Sequence, residues 1–140
     1  MKNKKVFLYT DGGSRGNPGP AGIGFLILDE KKKKIKDFCK YIGEATNNVA
    51  EYSALIHGLE EASALKADEV VIYVDSELIA KQLNGEYRVK DTNMKPLFEK
   101  TLSILKDFKS FEIKHIERAK NKEADKLVNK AINLSSLFLK

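Results

Sequence analysis

Apolar and polar positions along the chain follow two rhythms, and the changes between them mark out the elements. Residues 5–10 (KVFLYT) are an unbroken apolar, β-branched and aromatic run, which predicts a strand covered on both faces. The GGSRGNPGPAG stretch that follows is rich in glycine and proline and predicts a loop. Residues 21–28 (AGIGFLIL) predict a second strand, whose glycines mark close backbone approach. After a polar turn over 29–34, residues 35–42 predict a third strand. The short links between these three predict an antiparallel meander.

From residue 49 to 66 the period lengthens. Val49, Tyr52, Leu55, Ile56, Leu59, Ala62 and Leu65 recur at helical spacing, with Asn48 as the expected N-cap. Residues 69–74 (EVVIYV) return to a continuous apolar run, the mark of a covered, parallel-type strand. A short helix follows over 77–83, stopped by Asn84-Gly85. Another begins at Thr92 or Asn93 and runs to about Phe108, with Pro96 in its first turn. Residues 111–117 (FEIKHIE) predict a fifth strand, and 118–121 a polar loop. A last helix is expected over about 122–134, leaving 135–140 as a tail that either docks or frays. The order β-β-β-α-β-α-α-β-α predicts an α/β fold: a five-stranded mixed sheet, a three-strand antiparallel meander plus two parallel strands, flanked by helices.

Composition narrows the class. The 140 residues suit one hydrophobic core, so a single domain over 1–140 is expected. With 42% hydrophobic residues the chain is not a disordered segment. Its longest apolar runs, 22–28 and 70–74, fall far short of the ~20 residues a membrane span needs. The single cysteine, Cys39, excludes an internal disulfide framework and a multi-cysteine zinc site, and is expected as a small buried apolar side chain. The first apolar run gives way at once to Thr10-Asp11, so no signal peptide is expected, and the cytoplasm is the expected location. Lys and Arg number 25 against 20 Asp and Glu, a net of +5 that favours a polyanionic partner. Only Arg15, Arg88 and Arg118 are arginines, however, and the lysines at 31–34 read as a solvated turn.

The candidate chemistry lies in acids at strand and helix ends. Asp11 ends the first strand (YTDGG), Asp75 ends the fourth (YVDSE), Glu51 lies in the first turn of the first helix, and Asp125 lies early in the last. Each also has a bland reading: a turn residue for Asp11, a capping-box partner of Asn48 for Glu51, a helix cap for Asp75 and a helix-dipole partner for Asp125. If the first and fourth strands are neighbours, the acids converge. Four carboxylates in one place repel unless cations neutralise them, and hard divalent cations are the natural counter-charge. Two such ions about 3.5–4 Å apart can activate a water and stabilise a leaving oxygen in phosphodiester cleavage. A basic chain with an acidic pocket therefore points to a nuclease. The glycine-rich stretch is no nucleotide cradle, since it holds neither GxxxxGK[ST] nor a GxGxxG that opens a helix. It is expected instead to bring backbone close to a sugar-phosphate chain.

Four blocks in order, TDGGSRGNPGPAG, TNNVAEYSAL, YVDSELIAKQLNG and RAKNKEADKLVN, resemble type 1 ribonuclease H over essentially the whole chain. The resemblance implies hydrolysis of the RNA strand of an RNA–DNA hybrid, with 5′-phosphate and 3′-hydroxyl products. It implies two Mg²⁺ ions in the substrate complex, Mn²⁺ substituting, held by Asp11, Glu51, Asp75 and Asp125. Asp11 would bridge both ions, with Asp75 and Glu51 on the leaving-group side and Asp125 on the nucleophile side. Gly12, Asn17, Thr46, Asn47 and Asn48 occupy positions implied to contact the hybrid, and Asn48 keeps its helix-capping alternative. At Glu77 some relatives carry a glutamine that donates to the hybrid, which a carboxylate cannot do. Two features depart from many bacterial members. The histidine expected in a loop before the last acid is absent: His115 falls inside the fifth strand, and Arg118 is the better auxiliary candidate. The basic protrusion around the third helix is reduced to Arg88, Lys90 and Lys95. A stand-alone monomer needing no obligate protein partner and no membrane is expected. The alternatives are a hybrid-binding module without activity, a DNA-cutting relative on the same fold, and a fragment of a reverse transcriptase polyprotein.

Overall fold

In a computed structural model that describes residues 4–138, five strands and four helices alternate as the periodicity implies. The elements are β1 (Lys5–Ser14), β2 (Gly19–Leu28), β3 (Lys34–Ala45), α1 (Asn47–Ala64), β4 (Glu69–Val74), α2 (Glu77–Leu83), α3 (Lys95–Leu105), β5 (Ser110–His115) and α4 (Lys122–Phe138). The sheet order is β3-β2-β1-β4-β5. β1, β2 and β3 pair antiparallel, whereas β4 runs parallel to both β1 and β5. β1 and β4 are therefore neighbours that end on the same side of the sheet. The parallel ladder closes at Tyr9↔Tyr73, two residues short of Asp11 and Asp75.

The core lies between α1 and one face of the sheet. Val6, Leu8, Ile27, Val70 and Ile72 meet Leu55 and Leu59, all at most 1% exposed. Burying each such side chain contributes about 1.5–3 kcal/mol. Tyr52 also enters this core, and its hydroxyl donates to Gln82 Oε1 at 2.6 Å, so neither buried polar group is left alone. α3 covers the outside of α1, where Phe98 meets the Tyr52 ring edge-on with centroids 6.5 Å apart. α4 packs on the other face of the sheet, chiefly over β2 and β3.

Several sequence expectations are corrected here. β1 does not stop at Thr10 but pairs with β2 through Ser14↔Ala21. Gly12, Gly13 and Gly19, read as loop, lie within β1 and β2, whereas Gly16, at φ +97°, does turn the chain between them. The close backbone approach expected of the second strand's glycines is seen at Gly24. A Cβ at Gly24 would lie 2.6 Å from Leu127 Cβ, so its absence lets α4 settle on β2. β1 is also not covered on both faces: Val6, Leu8 and Thr10 are buried while Phe7 and Tyr9 are half-buried, because α4 leans toward β2 and β3. Thr46, not Asn48, caps α1, and its side chain accepts from Val49 N–H at 3.2 Å. α3 starts later than Thr92 or Asn93, because Asp91 Oδ1 accepts from Asn93 and Met94 N–H and holds them in a turn before Lys95. β5 ends at His115, where β4 runs out of partners, rather than at Glu117. Residues 118–120 form a 3₁₀ turn, not open loop. α4 runs past Leu134 to Phe138; the docking expected of the 135–140 tail falls mostly on side chains outside the described set. Cys39, on an edge strand, is half-buried rather than buried. The lysine turn at 31–34 is exposed, as expected.

Candidate active site

Each acid reaches the site from a different element. Asp11 stands on β1 and is 9% exposed, its Oδ1 accepting the Gly12 N–H at 3.0 Å. Asp75 follows β4 directly. Glu51 comes from the first turns of α1, and Asp125 from the start of α4. One oxygen each from Asp11, Glu51 and Asp75 lies within 4.8 Å of the others, and Asp125 lines the same groove, near enough for its charge to act on Asp11. The convergence of four acids therefore resolves into a tight trio with a fourth at its side.

Gly12 makes the trio possible. A Cβ there would overlap the Ala50 carbonyl and sit 2.6 Å from the Glu51 nitrogen. The missing side chain brings the start of α1 against β1 and sets Glu51 beside Asp11. The position assigned to substrate contact is thus buried and borders the groove with its backbone.

The electrostatics bear the mark of crowding. Burial, then the negative charges of Asp75, Glu51 and Asp125, push the Asp11 carboxyl from 3.8 up to about 8. Burial also pushes Glu51 from 4.5 up to about 7; a hydrogen bond from Ser76 and the charge of Arg118 oppose the rise, and Asp75 adds to it. Arg118 stands 3.5 Å from Asp125 Oδ1 with its side chain 81% exposed, so its guanidinium lies at the site's mouth. An oxygen-only donor set in this state fits a hard divalent cation, which would relieve the repulsion that burial amplifies.

The trio opens into a groove of about 330 Å³ that also reaches Asn47, Arg15, Asn129, Arg118 and Asp125. Of the residues assigned to the hybrid, Gly12 and Asn47 line this groove, while Asn17, Thr46 and Asn48 do not. Asn17 Oδ1 accepts from Asn47 N–H at 3.0 Å, and Asn47 Oδ1 accepts from Ser14 N–H at 2.8 Å and from the Ser14 hydroxyl. The 14–18 turn, with its cis Asn17–Pro18 bond, is thereby tied to the start of α1. Both asparagines spend their oxygens on the protein and keep their NH₂ donors. Asn48 lies in the first turn of α1, half-buried, with its carboxamide unpaired among the described residues. Glu77 is exposed and engaged by Lys81 at 3.0 Å, which holds its carboxyl below the usual range. His115 ends β5 opposite Val74, outside the groove; His57 contacts the Ser53 carbonyl at 2.8 Å, as a structural histidine would.

Sequence reading missed two supports. Asn121, 2% exposed, donates through Nδ2 to the Thr10 carbonyl at 2.8 Å and to Asp75 Oδ2 at 3.0 Å. It clamps the ends of β1 and β4 together and orients Asp75. Nothing in a polar RAKN segment announces this, because the partners are distant in sequence. Asn129 borders the groove and donates to the Asp125 carbonyl at 3.2 Å. Its position one turn beyond Asp125 was a usable signal.

Comparisons with known proteins point the same way. Residues 9–131 match the family model described as reverse transcriptase-like. The bifunctional protein Rv2228c of Mycobacterium tuberculosis is 38% identical over 133 residues, covering 94% of this chain and 36% of its own length. The chain thus spans about a third of that relative. The crystal structure of RNase H1 from the halophilic archaeon Halobacterium salinarum superposes with a TM-score of 0.90 at 38% identity, covering 92% of this chain and 98% of that one. LC11-RNase H1, solved in complex with an RNA/DNA hybrid, gives 0.88 at 46% identity, covering 93% and 98%. A sheet order, an acidic trio and near-complete alignment to these proteins agree on one conclusion: the chain belongs to the ribonuclease H family.

Proposed function

We propose that this chain is an endonuclease that hydrolyses the RNA strand of RNA–DNA hybrids with two divalent cations, leaving 5′-phosphate and 3′-hydroxyl ends. The observation that carries the reading is the acidic trio, three carboxylates gathered within 4.8 Å at the floor of an open groove on a chain of net charge +5. The hybrid named for LC11-RNase H1 supports the choice of substrate.

Asp11, Glu51 and Asp75 would hold the ions, with Asp125 completing the set beside Asp11. When bound, the ions supply a water acidified enough to attack phosphorus and a positive counter-charge for the leaving oxygen. The chain itself supplies position. Asn121 keeps Asp75 turned toward the trio, and Gly12 keeps Glu51 close enough to share it. Arg118, exposed at the mouth and 3.5 Å from Asp125, offers the rest of its guanidinium to a phosphate oxygen, the auxiliary role assigned to it. Asn47 on the groove, Asn17 hydrogen-bonded to it, and Asn48 with its unspent carboxamide offer amide donors to the 2′-hydroxyls that distinguish RNA from DNA. Mg²⁺, with Mn²⁺ as substitute, belongs to this reading because the donors are all oxygen. So does a monomer working in the cytoplasm, where a lone half-buried thiol stays reduced.

The test is cleavage of an end-labelled hybrid beside double-stranded RNA and double-stranded DNA. RNA-strand cuts in hybrid alone, present with Mg²⁺ or Mn²⁺ and absent with EDTA, are expected, and Asp11→Asn should abolish them. Binding of hybrid without cleavage under either ion, or equal cutting of DNA duplex, refutes the proposal.

A further inference from the structure

On the sheet face away from α1, where α4 leans toward β2 and β3, a strip of aromatic rings is left partly open. Tyr9 and Tyr73 stack across β1 and β4 with centroids 4.4 Å apart, and Phe7 continues the strip 6.4 Å from Tyr73. Beside Tyr9 lies a groove of about 370 Å³, floored by Tyr9, Leu26 and Leu28 and rimmed by Lys32, Lys120 and the ion pair of Lys34 with Glu123 at 3.1 Å. It is separate from the acidic groove, and Asn121, whose Oδ1 has no partner among the described residues, stands at its wall. Its size falls in the range of small-ligand sites, about 300–1,000 Å³.

The rim is built, not incidental. Asp29 Oδ1 accepts from Lys31 and Lys33 N–H at 2.8 and 3.0 Å, and the Asp29 carbonyl accepts from Lys32 N–H at 2.9 Å. That turn holds Lys32 at φ +66°, a conformation glycine adopts at less cost. A lysine is kept there, and its ammonium sits 3.3 Å from the Phe7 centroid and 5.9 Å from that of Tyr73. Lys5 approaches Phe7 at 5.6 Å. Lys34 is shared between Asp37 and Glu123, but Lys32 and Lys120 have no carboxylate partner among the described residues. Ammoniums without a carboxylate partner beside the half-exposed Tyr9 ring complement a ligand with both flat π-surfaces and negative charge.

We propose that this groove binds single-stranded nucleic acid, one base stacking on Tyr9 while its phosphates meet Lys32 and Lys120. A duplex keeps its base faces covered and cannot use such a floor. Lys32 and Lys120 stand on separate segments of the rim, the β2–β3 turn and the 118–120 turn, so that successive phosphates can each meet one, which favours a strand over a free nucleotide.

The test titrates the metal-free protein in EDTA with a fluorescein-labelled single-stranded hexadeoxyadenylate, read by anisotropy and by backbone amide shifts. Shifts at residues 26–34 and 120–124 are expected. Lys32→Gly suits the left-handed backbone, so the fold is retained and hybrid cleavage is unchanged. Its affinity should fall about fivefold or more, and the slope of log K against log salt should flatten by about 0.7 for the lost phosphate contact. Tyr9→Leu should weaken binding about tenfold through the lost stack. Wild-type affinity in Lys32→Gly overturns the proposal, as do shifts confined to residues 12–17 and 47–51. Equal binding of oligoglutamate, which has charge but no bases, or of AMP alone overturns it as well. Because nothing in the measurement requires catalysis, its failure is separable from failure of the nuclease reading.

Discussion

Replacing Asp11 by asparagine removes a buried carboxyl crowded by three other acids, so the metal-free fold should become more stable as activity disappears. The Asp11 carboxyl moves from 3.8 in an unfolded chain to about 8 in the fold, first through burial and then through three neighbouring acids. The folded state therefore keeps a proton that the unfolded state has released, and stability falls as pH rises from about 4 to about 8. At about 1.36 kcal/mol for each pH unit, the full cost of the ionised group reaches roughly 5–6 kcal/mol at pH 8. A buried asparagine amide still carries a desolvation cost, so Asp11→Asn should recover only about 2–4 kcal/mol. For a chain of this length 1 kcal/mol moves Tm by roughly 3 °C, which puts the variant about 6–12 °C above wild type. Calorimetric melts in EDTA at pH 5.5, 7 and 8.5 measure this directly. Wild type should lose Tm steadily across the series, the variant much less. Mg²⁺ should raise the wild-type Tm most at pH 8.5, where the site is ionised, and the variant's only slightly. An Asp11→Asn protein that melts at or below wild type at pH 8.5 without metal would refute the crowded-carboxylate account.

The supports around the trio give sharper contrasts. Asn121→Ala leaves Asp75 unoriented and the Thr10 carbonyl without its donor; stability should drop by about 1–3 kcal/mol, with kcat on hybrid falling while KM holds. Gly12→Ala drives a methyl into the Ala50 carbonyl, so a loss of about 3 kcal/mol or more in denaturant melts is expected, with weaker metal binding by calorimetric titration because Glu51 is displaced. Thr46→Ala should cost about 1 kcal/mol as the true α1 cap, whereas Asn48→Ala should leave stability nearly untouched and instead raise the KM for hybrid.

Much of this architecture was legible because hydrophobic period tracks burial. EVVIYV could only be a covered strand, and the spacing from Val49 to Leu65 could only be a helix. The acids were legible for a different reason: strands that run straight into a carboxylate are unusual enough to notice. What the sequence hid were contacts made by backbone geometry. Gly12 reads as a loop residue, and only packing reveals that it is a strand residue against which a helix lies. Thr46 and Asn48 are both fair caps by type, and the choice was made by where β3 releases the chain. Asn121 carries no local pattern at all, since its two acceptors lie on other strands. The open side of β1 was misread because KVFLYT looks the same whether Phe7 and Tyr9 meet a helix or a ring of lysines.

Asp11 and Asp75 lie at matching positions two residues beyond Tyr9↔Tyr73, the last paired rung of two parallel neighbours, so their separation is set by a ladder whose strands run about 4.8 Å apart. That gauge is made of peptide groups and owes little to how tightly the interior is filled. Substitutions that soften the interior, such as Leu59→Val, can lower the melting point and still leave the gap between these two ligands intact. Across a panel of such variants, cation affinity and thermal tolerance should vary independently, and the catalytic floor can be inherited unchanged by versions of the chain suited to very different temperatures.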